Sequence, residues 1–147
     1  MATPKQSIVI MLVEDDEAHR LLIRENHRAG GIVNEMVELT VGQEALDYLQ
    51  RRGRYKDPAS APRPGLILLD IKMPKLDGFT VLEAVKNDPK LRVIPVLMLT
   101  STDDQTEVNR CYVLGANSYV VKPIQYETFQ ERVKALGLFL DIVRFPD

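Results

Sequence analysis

The chain has 147 residues, 45% hydrophobic and 27% charged, with 19 basic and 21 acidic side chains and a formal charge of −2. That is the size and balance of one soluble globular domain, able to build a core without disulfides or a structural metal, and it does not point to nucleic acid or an anionic membrane as a partner. The single cysteine, Cys111, excludes an internal disulfide and a multi-cysteine zinc site, and the longest wholly apolar run, Ile8–Val13, is far short of the roughly 20 residues that span a membrane. Met1–Ser7 is polar and too short for a secretory signal, so a cytoplasmic protein is expected.

Ile8–Val13 is a short unbroken apolar run and predicts the first strand. Glu17–Ala29 has helical spacing, with Asp16 as a candidate N-cap and Gly30-Gly31 closing it. Glu35–Val41 alternates more weakly and predicts a second strand, followed by a helix over Gln43–Arg52. Arg51–Gly65 then breaks the rhythm with three prolines and five cations, at about twice the usual connection length. It reads either as a solvated loop or as a loop that docks a partner. Leu66–Leu69 predicts the third strand, Pro74 and Gly78 bracket a turn, and Phe79–Asn87 is helical in pattern. Pro89 and Pro95 bound the passage into a fourth strand, Val96–Leu99. A fourth helix, Asp104–Leu114, has Asp103 as candidate N-cap and Gly115 where a C-cap is wanted. Tyr119–Val121 is the fifth strand and Gln125–Val143 the fifth helix.

Strand and helix alternate five times, which predicts an α/β domain with a parallel sheet. In the last helix Phe129, Val133, Leu136, Leu140 and Val143 form one apolar face that packs on the sheet. Leu138, Phe139, Ile142 and Phe145 lie largely off that face. They predict a self-association surface, the alternative being a tail wrapped on its own domain. Cys111 reads as a small packing residue, and His19 and His27 as partly exposed helix residues rather than phosphoryl carriers.

Open parallel sheets bind ligands beyond the C-terminal ends of their strands. Glu14-Asp15-Asp16, Asp70, Thr100-Ser101 and Lys122-Pro123 stand at four such ends. Carboxylates grouped without histidine or cysteine suit Mg²⁺ or Ca²⁺, which relieves their repulsion. An aspartate is also a competent nucleophile toward phosphorus, and phosphoryl transfer needs mostly positioning and charge neutralisation. Each piece alone is as readily a cap or a loop; the ordered set is far more specific.

This set resembles the receiver domain of two-component response regulators. The resemblance runs through Ile10-Met11-Leu12-Val13-Glu14-Asp15-Asp16, Leu68-Leu69-Asp70-Ile71-Lys72-Met73-Pro74-Lys75-Leu76-Asp77-Gly78, Pro95-Val96-Leu97-Met98-Leu99-Thr100-Ser101 and Gly115-Ala116-Asn117-Ser118-Tyr119-Val120-Val121-Lys122-Pro123. It covers residues 7–137 and leaves 138–147 as a C-terminal helix extension and tail. It implies a flavodoxin-like, doubly wound sheet of order 2-1-3-4-5 with five helices. It also implies Asp70 as phosphoacceptor. The acidic pair is then Glu14 and Asp15, which directly follow the last apolar residue Val13; pairing Asp15 with Asp16 is the alternative. Asp15, Asp70 and the backbone carbonyl of Lys72 would ligate Mg²⁺, with Glu14 acting through a metal-bound water. Thr100 and Lys122 would contact phosphoryl oxygens, Thr100 and Tyr119 would form the switch, and the Lys122–Pro123 peptide would be cis. The Lys72 side chain, beside the acceptor, is expected to tune the lifetime of the phosphorylated state.

The 24 residues after Pro123 are too few for an output domain, so signalling through protein–protein contacts without direct DNA binding is expected. The basic loop and the Phe-Leu-Asp-Ile-Val-x-Phe-Pro tail are similar to single-domain regulators associated with phytochrome-type histidine kinases. That likeness implies such a kinase as phosphodonor and a homodimer. Two alternatives are a receiver-like interaction module without phosphoryl turnover and an aspartate-nucleophile phosphohydrolase, the latter disfavoured because Lys72 stands where its second aspartate belongs.

Overall fold

Strands that are apolar at every position need cover on both faces, and the chain builds that cover. The computed structural model describes residues 8–29, 34–102, 104–122 and 125–136. Its elements are β1 (Ile10–Val13), α1 (Glu17–Ala29), β2 (Met36–Leu39), α2 (Gly42–Leu49), β3 (Leu66–Asp70), α3 (Gly78–Asn87), β4 (Val96–Thr100), α4 (Gln105–Val113), β5 (Ser118–Val121) and α5 (Tyr126–Ala135). The strands form one parallel sheet in the order β2-β1-β3-β4-β5. This is the flavodoxin-like arrangement that the resemblance implies.

Alternate residues of each central strand feed two separate cores. Ile10, Leu12, Leu66, Leu68, Leu97 and Leu99 face Ile23 of α1 and Phe129 and Val133 of α5. Met11, Val13, Ile67, Leu69, Val96 and Met98 face the layer that holds α2, α3 and Cys111 of α4. The cysteine is buried, as its packing role predicts, and burial pushes its thiol pKa up.

Helix ends follow local chemistry. Asp16 Oδ1 accepts the His19 amide at 3.0 Å and caps α1. Asp77 caps α3 through the Thr80 amide at 2.9 Å. The N-cap of α4 is Asp104, one residue beyond Asp103, because the Asp104 carboxylate reaches the amides of both Thr106 and Glu107. Gly115, at φ 104°, closes α4, with its amide on the Tyr112 carbonyl and the Ala116 amide on Cys111. The same closure ends α2 at Leu49, short of the expected Arg52, and there the left-handed residue is Arg51 at φ 54°.

Helix α5 is described as far as its cap. It runs over Tyr126–Ala135 with Leu136 as cap, and 137–143 of the expected helix lie outside the described residues. Leu138, Phe139, Ile142 and Phe145 lie outside the described residues, as do Gly30-Gly31 and Pro123, and with Pro123 the expected cis peptide. The 51–65 connection is not simply solvated. It contains two short 3-10 turns, Gly53–Tyr55 and Pro58–Ser60, and Tyr48 donates to the Pro62 carbonyl at 2.7 Å. The Tyr48 and Tyr55 rings lie 5.0 Å apart, and Arg54 pairs with Glu44 of α2. No described helix is long and apolar enough to cross a membrane.

Candidate functional site

Parallel pairing in register brings the ends of β1, β3, β4 and β5 to one edge of the sheet. β1 delivers Glu14, wholly buried, and Asp15, exposed; β3 delivers Asp70, 2% exposed. One carboxylate oxygen from each of these three lies within 4.8 Å of the others. Asp16 is engaged elsewhere, as the α1 cap, and the His19 amide on its carboxylate holds its pKa below the usual value. Of the two acidic pairings, the geometry groups Glu14 and Asp15 with Asp70.

Lys122, just past β5, reaches into this cluster. Its Nζ stands 2.9 Å from Asp70 Oδ1 and 3.2 Å from Glu14 Oε2. Burial works against its charge, but the Asp70 and Glu14 carboxylates outweigh that and raise its pKa. Burial pushes Asp70 the other way, up to about 6, with the Glu14 charge adding to the rise and Lys122 offsetting part of it. One lysine cannot neutralise three crowded carboxylates, so the cluster retains a demand for positive charge. Its donors are carboxylate oxygens alone, the set that suits a hard divalent cation.

Thr100 ends β4 and is buried. Its hydroxyl lies 2.6 Å from the Thr102 carbonyl and 2.8 Å from Glu107 Oε2 of α4, rather than on Asp70. Tyr119 is half-buried, its ring edge-to-face with Tyr112 at 6.2 Å and under the Arg132 guanidinium at 5.3 Å. Lys72 is exposed and lines a cavity of about 510 Å³ with Ile71, Met73, Phe79, Glu107 and Arg110.

The motifs do not single out three residues that belong here. His19 Nδ1 lies 3.1 Å from Glu14 Oε1 and 3.2 Å from Lys122 Nζ. Arg20 donates to the carbonyls of Glu14 and Asp15, at 3.0 Å each, and so fixes the acidic turn. Glu107 holds the Thr100 hydroxyl. All three stand in the first turn of the helix that follows a site strand. A helix that starts within a few residues of a strand end carries its first-turn side chains back over that end, and this is the signal by which they could be found.

Residues 10–134 match the response regulator receiver domain family. The chain is 37% identical over 139 residues to "Response regulator Rcp1" of Synechocystis sp., covering 94% of this chain and 92% of that protein. It is similar in structure to "Bacteriophytochrome response regulator RtBRR", at a TM-score of 0.84 and 37% identity over 97% of this chain and 85% of that one. It also matches the Mn²⁺-bound form of Rcp1, at a TM-score of 0.74 and 36% identity over 95% and 99% of the two chains. That relative carries a divalent metal, and the acidic cluster of this chain has the donors for one. Fold, strand-end cluster and relatives agree: the chain is a response regulator of the receiver-domain family, with relatives among the phytochrome response regulators.

Proposed function

We propose that this protein accepts a phosphoryl group on Asp70 from a phosphohistidine of a histidine kinase, with Mg²⁺ bound, and passes the signal on through protein–protein contacts. The observation that carries the proposal is Asp70 itself. It is buried at the end of β3, 2.9 Å from Lys122 Nζ and grouped with Glu14 and Asp15. In the transfer, an Asp70 carboxylate oxygen attacks phosphorus. The N–P bond breaks, and its electron pair returns to the imidazole nitrogen, which takes up a proton. Lys122 holds the attacking carboxylate ionised and stays beside the charge that the product gains. Asp15, Asp70 and the Lys72 carbonyl would hold the cation, with Glu14 behind them; when bound, it neutralises carboxylate and phosphoryl oxygens. Thr100 turns its hydroxyl to a phosphoryl oxygen, and Tyr119 follows by moving inward.

The names of the relatives favour a phytochrome-type kinase as donor. The same reading makes the protein cytoplasmic and homodimeric, with Leu138, Phe139, Ile142 and Phe145 at the dimer contact and no direct DNA binding. Sedimentation of the full chain against Ile142→Asp tests the dimer. The test of the main reading is intact mass after incubation with Mg²⁺ and a small acyl phosphate. A Mg²⁺-dependent gain of one phosphoryl group, absent in Asp70→Asn, supports it. No gain in the wild type points to an interaction module without turnover, and release of phosphate in its place points to a hydrolase.

A further inference from the structure

Glu107 lies in the first turn of α4 and belongs to no motif in the sequence. Its Oε2 is 2.8 Å from the hydroxyl of buried Thr100, and among the described residues no ion pair engages it. A threonine hydroxyl has one proton to donate. Here Thr102 O and Glu107 both stand in reach of it, and the charged acceptor makes the stronger bond. The Thr102 amide occupies the acceptor side of the same oxygen at 3.1 Å. Thr100 is thus saturated within β4, its turn and α4, with no proton left for Asp70.

We propose that Glu107 is a latch, a positioning residue that holds the Thr100 hydroxyl off the phosphoacceptor and ties its release to α4. The inference rests on Asp70 as acceptor. A phosphoryl group on Asp70 competes for the Thr100 proton and repels the Glu107 carboxylate. Glu107 then loses its donor and gains a like charge nearby, and both effects drive the first turn of α4 outward. The same helix carries the exposed side chains of Tyr112 and Val113. The acidic side chain of one α4 residue therefore converts the charge on Asp70 into a displacement of a surface that a partner can read.

The test compares wild type, Glu107→Ala, Glu107→Gln, Thr100→Ala and the double variant Thr100→Ala/Glu107→Ala. The readout is the initial rate of phosphoryl uptake from a small acyl phosphate at fixed Mg²⁺, measured by intact mass. With the Thr102 carbonyl still in reach of the hydroxyl at 2.6 Å, removing Glu107 releases only part of its hold and should raise the rate about three- to tenfold in Glu107→Ala. Glu107→Gln, which keeps an acceptor oxygen and preserves packing, should fall between. In the Thr100→Ala background the Glu107→Ala change should have no effect. An unchanged or slower rate in Glu107→Ala overturns the latch, and so does an equal gain with and without Thr100, which is a pure charge effect. No uptake by any protein, wild type included, overturns the phosphoacceptor reading and the latch with it.

Discussion

At the scale of single residues, the pKa of Asp70 governs the site. Burial, with Glu14 beside it, raises that carboxyl from an ordinary 3.8 to about 6. A group raised in this way binds more protons in the folded state than in the unfolded one between those two values. The metal-free fold therefore loses stability as pH rises through that window. Asp70→Asn has no such loss. Its melting temperature relative to wild type should rise between pH 4 and pH 6 and level off above, which scanning calorimetry in chelator checks. Lys72 gives a second prediction. Its exposed side chain lines the cavity next to Glu107 and Arg110, two residues along from the acceptor. Lys72→Ala should change the decay rate of phospho-Asp70 and leave the extent of Mg²⁺-dependent uptake intact. An unaltered decay followed by intact mass would remove Lys72 from the mechanism.

At the scale of elements, the turn between β3 and α3 holds the acceptor in place by close approach. The Gly78 amide donates to the Ile71 carbonyl at 2.8 Å, and a Cβ on Gly78 would stand 2.1 Å from the Asp70 carbonyl oxygen. No neighbouring side chain can yield there, since the clash is with backbone. Gly78→Ala should cost about 2 kcal/mol or more in urea unfolding and slow phosphoryl uptake, because the displaced segment carries Asp70. At the end of α2 the argument has the opposite sign. Arg51 adopts φ 54°, a left-handed conformation that glycine adopts without strain. Arg51→Gly should be neutral or stabilising by roughly 1 kcal/mol, read by the same unfolding curves. Element boundaries show where sequence patterns are weakest. The sequence pattern offers Asp103 as the cap of α4, yet the carboxylate that meets the free amides of Thr106 and Glu107 is that of Asp104, one residue on.

At the scale of the whole molecule, one sheet edge gathers residues up to 108 positions apart, from Glu14 to Lys122. A cation bound there stabilises the folded chain only. At a concentration a hundredfold above its dissociation constant, Mg²⁺ should add about 2.7 kcal/mol, or very roughly 5–10 °C in melting temperature at pH 7. Asp70→Asn should show much less. Differential scanning with and without Mg²⁺ checks both, and equal shifts in the two proteins would place the metal elsewhere.

The alternation of elements and the parallel sheet can be read from residue order, because strands covered on both faces must be apolar throughout, as Ile10–Val13, Leu66–Leu69 and Val96–Leu99 are. Residue order also determines which residues stand at the strand ends, since a strand end follows directly from its last apolar residue. Tertiary structure alone decided the rest. It separated Asp15 from Asp16, because one faces the acidic cluster while the other caps α1. It brought His19 and Arg20 over Glu14, and Glu107 onto Thr100. Those contacts depend on the angle at which each helix leaves its strand. That angle is set by packing against the sheet, and no local pattern of residues records it.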